Sequence, residues 1–240
     1  MTRRTLIAAN WKMHPAPTGA LEGGDAYISR GGIDVWVFPS YLDIAGAVAA
    51  KLITGGQCGH WETHGARTGD VSMAMLAAAG CRSVLCGHSE RRQQHAESNE
   101  QVIKQVIAAL EAGLHPILCI GETLQERDAA QQESVVRAQL KGCPMEPQLT
   151  IAYEPVWAIG TGKTATPQQA QEMHAFIRSL LPADIREDMR ILYGGSLKPE
   201  NAAALLAEPD IDGGLVGGAS LDPDAFGQIV QAGASAKKHS

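Results

Sequence analysis

The sequence predicts an α/β protein folded as a single closed (β/α)8 barrel, and three observations carry that prediction. Eight short apolar runs rich in β-formers are spread over 240 residues, an average of about 30 residues per unit, the size of a βα repeat. The runs are apolar at both odd and even positions, as strands buried on both faces are. Amphipathic helical patterns lie between them, and no linker composition divides the chain. Such alternation in one domain spanning residues 1–240 favours closure over an open sheet, and it places function in the loops that follow the strands.

The elements follow in order. Residues 5–9 form the first run, and Gly19, Gly23, Gly24, Gly31 and Gly32 after it predict a short or frayed first helix. Residues 34–38, residues 52–54 with those just after, and residues 83–86 give the next three strands. Val102, Ile103, Val106, Ile107 and Leu110 fall on one stripe at helical spacing. Residues 116–120 and 149–153 are the fifth and sixth runs. Thr166 and Pro167 read as a cap and first-turn proline, followed by inward-facing Met173, Phe176, Ile177 and Leu180. Residues 190–193 and 214–217 complete the eight. Asp222 and Pro223 repeat the cap-plus-proline start before Phe226, Ile229 and Val230, and residues 233–240 are expected to be a mobile tail.

Composition narrows the function. The net charge is −6 with both signs interspersed, which argues against nucleic acid or a polybasic membrane surface as partner but leaves room for a small anionic substrate. The five cysteines show neither C-x-x-C nor zinc spacing and most lie in apolar runs, as reduced core cysteines of a cytoplasmic protein do. The N-terminus has no secretory signal pattern, and no apolar run reaches the length of a membrane span. In residues 60–64 Trp61 stands between the first histidine and the glutamate, so the zinc-protease order H-E-x-x-H is absent and no metal is expected. Gly162, Lys163 and Thr164 match the end of a nucleotide-binding P-loop, but Trp157 occupies the position of its first glycine.

Polar or glycine-rich chemistry gathers after the strands. Gly194, Gly195 and Ser196 follow the seventh run and Gly217 and Gly218 the eighth, and paired glycines in those two loops suit backbone capture of a phosphate. Asn10 and Lys12 follow the first run, where a lysine can face an anion. His88 follows the fourth run and Glu154 the sixth. A carboxylate in a dry site can take a proton from carbon, and a neutral imidazole can polarise a carbonyl. Ser89 and Glu90 suit a helix N-terminus, whose dipole lowers the pKa of His88. Pro155 stiffens the chain beside Glu154.

Seven segments in order, residues 10–13, 65–69, 87–92, 119–123, 152–163, 193–196 and 216–221, closely resemble the triosephosphate isomerase family across essentially the whole chain. The resemblance implies the TIM barrel fold and, within glycolysis and gluconeogenesis, cofactor-free interconversion of dihydroxyacetone phosphate and D-glyceraldehyde 3-phosphate. It implies that Glu154 is the base on carbon, that neutral His88 polarises the carbonyl, and that Lys12 stabilises the developing oxyanion. Asn10 would orient substrate and Lys12; Gly160, Ser196, Gly217 and Gly218 would bind the phosphate; Ser89 and Glu90 would support the site. Residues 158–162 would close as a lid between hinges at 155–157 and 163–165, suppressing phosphate elimination.

The resemblance also implies a homodimer through loop 59–70, with Thr68 beside the partner's Asn10 and Lys12. Here the chain departs from the family: Cys58 replaces a usual Asn, Arg67 an aromatic and Asp70 a Glu. An atypical interface is expected, with Asp70 still able to pair with Arg91. An isomerase of a tetrulose phosphate is the alternative, since the same acid–base pair would serve it.

Overall fold

The computed structural model describes residues 3–159 and 164–236. Eight parallel strands close on themselves in sequence order: β1 (Thr5–Asn10), β2 (Ile33–Phe38), β3 (Ile53–Gly56), β4 (Ser83–Cys86), β5 (His115–Ile120), β6 (Thr150–Tyr153), β7 (Ile191–Tyr193) and β8 (Gly213–Val216). The β1–β8 pairing that closes the barrel sets Leu6 against Gly213 and Ala9 against Val216. Nine α-helices among the described residues alternate with the strands: α1 (Ile44–Ala49), α2 (Met73–Ala78), α3 (Ser89–Gln94), α4 (Asn99–Glu111), α5 (Leu124–Asp128), α6 (Gln132–Leu140), α7 (Pro167–Ser179), α8 (Pro199–Leu206) and α9 (Pro223–Ala236). Barrel and element order match the expectation.

Both faces of the strands are buried, which explains the continuous apolar runs. Leu6, Ala8, Trp36, Phe38, Leu85, Ile117, Cys119, Ala152, Leu192 and Leu215 pack in one cluster inside the barrel. The alternate residues, such as Ile7, Ala9, Val35 and Val37, pack outward with Phe226, Ile229 and Val230 of α9. Thr166 caps α7 by accepting the Gln169 N–H, and Pro167 stands in its first turn. Asp222 Oδ1 accepts the N–H groups of Asp224 and Ala225 at the start of α9.

Two expectations are corrected. The glycine-rich stretch after β1 makes two 3-10 turns, Ala20–Glu22 and Asp25–Tyr27, with Gly19 and Gly23 in the left-handed region, in place of even a short α-helix. The tail expected from residue 233 is helical as far as Ala236, because Gly233 is buried against Ile33, Thr5 and Ile7; residues 237–240 lie outside the described residues. At the barrel's lower end Arg178 donates to Asp210 Oδ1 and Asp212 Oδ2, both at 2.6 Å, and Arg3 reaches Asp212 Oδ1 at 2.7 Å.

Candidate active site

A cavity of about 570 Å³ opens at the carboxyl end of the strands, lined by Asn10, Lys12, His88, Glu154, Ser196, Gly217 and Gly218 among others. Residues from five separate strand ends therefore meet at one place. Of the expected site residues, Ser89 and Glu90 lie just behind this lining, Thr68 is exposed on the arm and does not line the cavity, and Gly160 lies outside the described residues.

The acid–base pair forms between β4 and β6. His88 Nε2 is 3.0 Å from Glu154 Oε1. Glu154 Oε2 accepts the Ser89 N–H at 2.8 Å, an orphan donor of the first turn of α3. His88 Nδ1 accepts the Glu90 N–H at 3.3 Å, which leaves the proton of the neutral ring on Nε2, facing Glu154. Both side chains are nearly sealed from solvent.

Burial opposes the charge on Glu154, but His88 and the Ser89 N–H outweigh it and hold the carboxyl below its ordinary range. Burial likewise opposes an imidazolium, but Glu154 outweighs it and raises the His88 pKa. The lowering expected from the helix N-terminus is thus reversed, because a carboxylate 3.0 Å away acts more strongly than a helix terminus.

Lys12 is held by backbone and side-chain contacts. Its N–H donates to Asn10 Oδ1 at 3.0 Å, and its Nζ lies 2.6 Å from Glu90 Oε1. The backbone sits at φ 52°, uncommon for a side-chain-bearing residue. Gln57 holds it there, donating through Nε2 to the Lys12 carbonyl at 2.7 Å and the Phe38 carbonyl at 3.0 Å. Sequence reasoning missed Gln57, whose role is set by contacts to two other loops and leaves no local pattern.

The glycines divide their work. A Cβ on Gly217 would stand 3.0 Å from Lys12 Cε, so this glycine makes room for the lysine. A Cβ on Gly194 would meet Glu154 Cγ at 2.7 Å, and one on Gly195 would strike the Tyr193 hydroxyl. These two, expected only as phosphate-facing amides, also clear space for the carboxylate and for Tyr193. Gly218 opens into free space, which leaves its amide approachable. Ser196 donates from both N–H and Oγ to the Ala158 carbonyl, at 3.0 and 2.7 Å.

Behind the site a second missed residue, Glu122, is fully buried. It accepts from the Tyr153 hydroxyl and from Trp157 Nε1 at 2.8 Å. The 3-10 turn Val156–Ala158 that follows Glu154 is thereby anchored through its central residue, Trp157.

The arm between β3 and α2 is closed at its base, where His60 donates its N–H to the Val71 carbonyl and Met73 donates to the His60 carbonyl. Arg67 pairs with Glu62 at 2.8 Å within the arm. Within the chain Arg91 Nε donates to Glu97 at 2.8 Å, and Asp70 lies 3.8 Å from His60 Nε2. Among the described residues no group of three or more His, Cys, Asp or Glu is arranged to hold a metal ion, and no helix is long and apolar enough to cross a membrane.

The family model described as "Triosephosphate isomerase" matches residues 5–233. The chain belongs to the triosephosphate isomerase family. It is 49% identical to the triosephosphate isomerase of Halorhodospira halophila, over 97% of this chain and 99% of that one. It is 48% identical to that of Paracidovorax citrulli, over 98% and 100%, and 47% identical to that of Alkalilimnicola ehrlichii, over 96% and 98%. Nothing in those names supports the tetrulose-phosphate alternative.

Proposed function

We propose that this chain interconverts dihydroxyacetone phosphate and D-glyceraldehyde 3-phosphate through an enediol(ate), without a cofactor, the isomerisation for which its relatives are named. The observation that carries the reading is the buried Glu154–His88 pair at 3.0 Å, in one cavity with Lys12 and the glycine loops after β7 and β8. Substrate entering between the two side chains separates them. Glu154 then leaves the Ser89 N–H and His88, which had held its pKa down, and becomes a stronger base for the proton on carbon. His88 loses the carboxylate that raised its pKa; burial and the α3 N-terminus remain, and both favour the neutral ring. Its Nε2–H polarises the carbonyl and shuttles protons between the two oxygens.

The Lys12 ammonium stabilises the growing oxyanion, and Asn10 fixes the Lys12 backbone through their 3.0 Å bond. Glu90, 2.6 Å from Lys12 Nζ, holds the ammonium until substrate arrives. Ser196, Gly217 and Gly218 bind the phosphate through N–H groups, a role assigned also to Gly160; the lid expected over residues 158–162 falls mostly outside the described residues. Exclusion of water and retention of the enediolate suppress loss of phosphate.

The active form is a cytoplasmic homodimer assembled through loop 59–70, Thr68 reaching the partner's site. Two nearly fully exposed apolar side chains, Met13 and Leu42, support an assembly face near that arm. Sedimentation across a dilution series tests it; a fully active monomer refutes dependence on the dimer.

The activity is tested by a coupled isomerase assay on triose and tetrulose phosphates. The triose phosphates are expected to turn over, and Glu154→Gln to lower kcat by roughly 10²–10⁴-fold. Inactivity on the triose phosphates, or an undiminished Glu154→Gln variant, refutes the mechanism.

A further inference from the structure

Asn201, in the first turn of α8, grips the turn after β7 at both ends. Its Nδ2 donates to the Ser196 carbonyl at 3.0 Å, and its Oδ1 accepts the Lys198 N–H at 2.8 Å. Ser196, Leu197 and Lys198 line the cavity, whereas Asn201 does not. We propose that Asn201 is a positioning residue for phosphate binding, acting through Ser196; this rests on the phosphate role given to Ser196 above.

The bond to Lys198 alone would be an ordinary helix-start contact. The bond to Ser196 is not required by the helix, because it reaches back beyond the helix start to the residue whose donors face the site. Both Ser196 donors, N–H and Oγ–H, are spent on the Ala158 carbonyl. To reach a phosphate they must leave it, and the turn then loses those two contacts to the segment after β6. The Asn201 bonds use other atoms, the Ser196 carbonyl and the Lys198 amide, so they survive the exchange. They hold the turn in place while its donors change acceptor.

The residue type fits the task. A donor and an acceptor are needed on one short planar group, which Asn supplies. Aspartate keeps the acceptor for Lys198, loses the donor for Ser196 and brings a negative charge towards the dianion. Alanine loses both bonds.

The experiment compares wild type, Asn201→Ala and Asn201→Asp on D-glyceraldehyde 3-phosphate, on D-glyceraldehyde lacking the phosphate, and in calorimetric titration with inorganic phosphate. For Asn201→Ala, KM for the phosphorylated substrate and Kd for inorganic phosphate are expected to rise about tenfold. Its kcat should stay within about threefold, with kcat/KM on D-glyceraldehyde unchanged. Asn201→Asp should weaken phosphate at least as much; because it retains the Lys198 bond at the helix start, it carries the comparison if the alanine variant does not fold. An equal loss on both substrates, as a general structural role would give, overturns the proposal. So does wild-type phosphate affinity in both variants. A wild type that binds phosphate but does not isomerise the triose refutes the isomerase reading instead, and the calorimetric comparison still decides the role of Asn201.

Discussion

Lowering the pH from about 7.5 to about 5 is expected to weaken the folded state by about 2 kcal/mol through His174 alone. This side chain lies on the inner face of α7, fully buried, in edge-on contact with Tyr153. Its Nδ1 meets the Asp210 carbonyl at 3.2 Å, and its Nε2 has no hydrogen-bond partner among the described residues. Burial pushes its pKa down from 6.5 to about 4. The folded value lies below the unfolded one, so on acidification the unfolded chain takes up the proton first. The contribution is therefore complete above the unfolded value and is lost as pH falls towards the folded one. The full gap corresponds to about 3 kcal/mol, of which about 2 is spent by pH ~5, above the range where most carboxylates titrate. The assay is urea unfolding at a series of pH values for wild type and His174→Gln, whose amide can still donate to the Asp210 carbonyl. The wild-type stability should fall more steeply with acid, and the difference between the two curves isolates this residue. Parallel profiles across the window would refute the argument.

Three further outcomes follow from other contacts. Arg178→Ala leaves the fully buried Asp212 without one of its cationic partners and should cost about 3–5 kcal/mol in urea unfolding; a cost below about 1 kcal/mol would count against a buried network there. Gly217→Ala puts a methyl against the mobile end of Lys12, so stability should change by less than about 0.5 kcal/mol while kcat/KM falls roughly tenfold or more, about 1.4 kcal/mol of transition-state stabilisation; unchanged kinetics would show that Lys12 needs no such clearance. Lys198→Ala removes an exposed cation from the cavity mouth and should lower kcat/KM a few-fold at low ionic strength and hardly at all in high salt, measured with the same isomerase assay; a salt-independent loss would mean that the side chain does more than attract the dianion.

The barrel was legible because strands buried on both faces leave uninterrupted apolar runs, and because caps such as Thr166 act on residues three positions away. The grouping of the candidate site residues was legible for a related reason: closure brings the ends of all eight strands together, so polar residues just after the strands had one place to go. What escaped was set by contacts distant in sequence. Gln57 reaches back 45 residues to Lys12, and Glu122 reaches 35 forward to Trp157; neither leaves a periodic or spacing signal. The direction of the His88 pKa was misjudged because its helix position can be read locally, whereas the carboxylate 3.0 Å away comes from 66 residues further along the chain. The replacement of the first helix by 3-10 turns was half visible, since glycines announce weakness in a helix without specifying what takes its place.

The seam between β1 and β8 also bears on how the chain is made. Leu6 pairs with Gly213, and Arg3 binds Asp212, so β1 cannot complete its pairing until β8 has been made. Until then the growing sheet carries two unsatisfied edges, a hazard for pairing with neighbouring chains. Barrel closure therefore cannot precede the synthesis of β8, and the Arg3–Asp212 contact joins residues 209 positions apart.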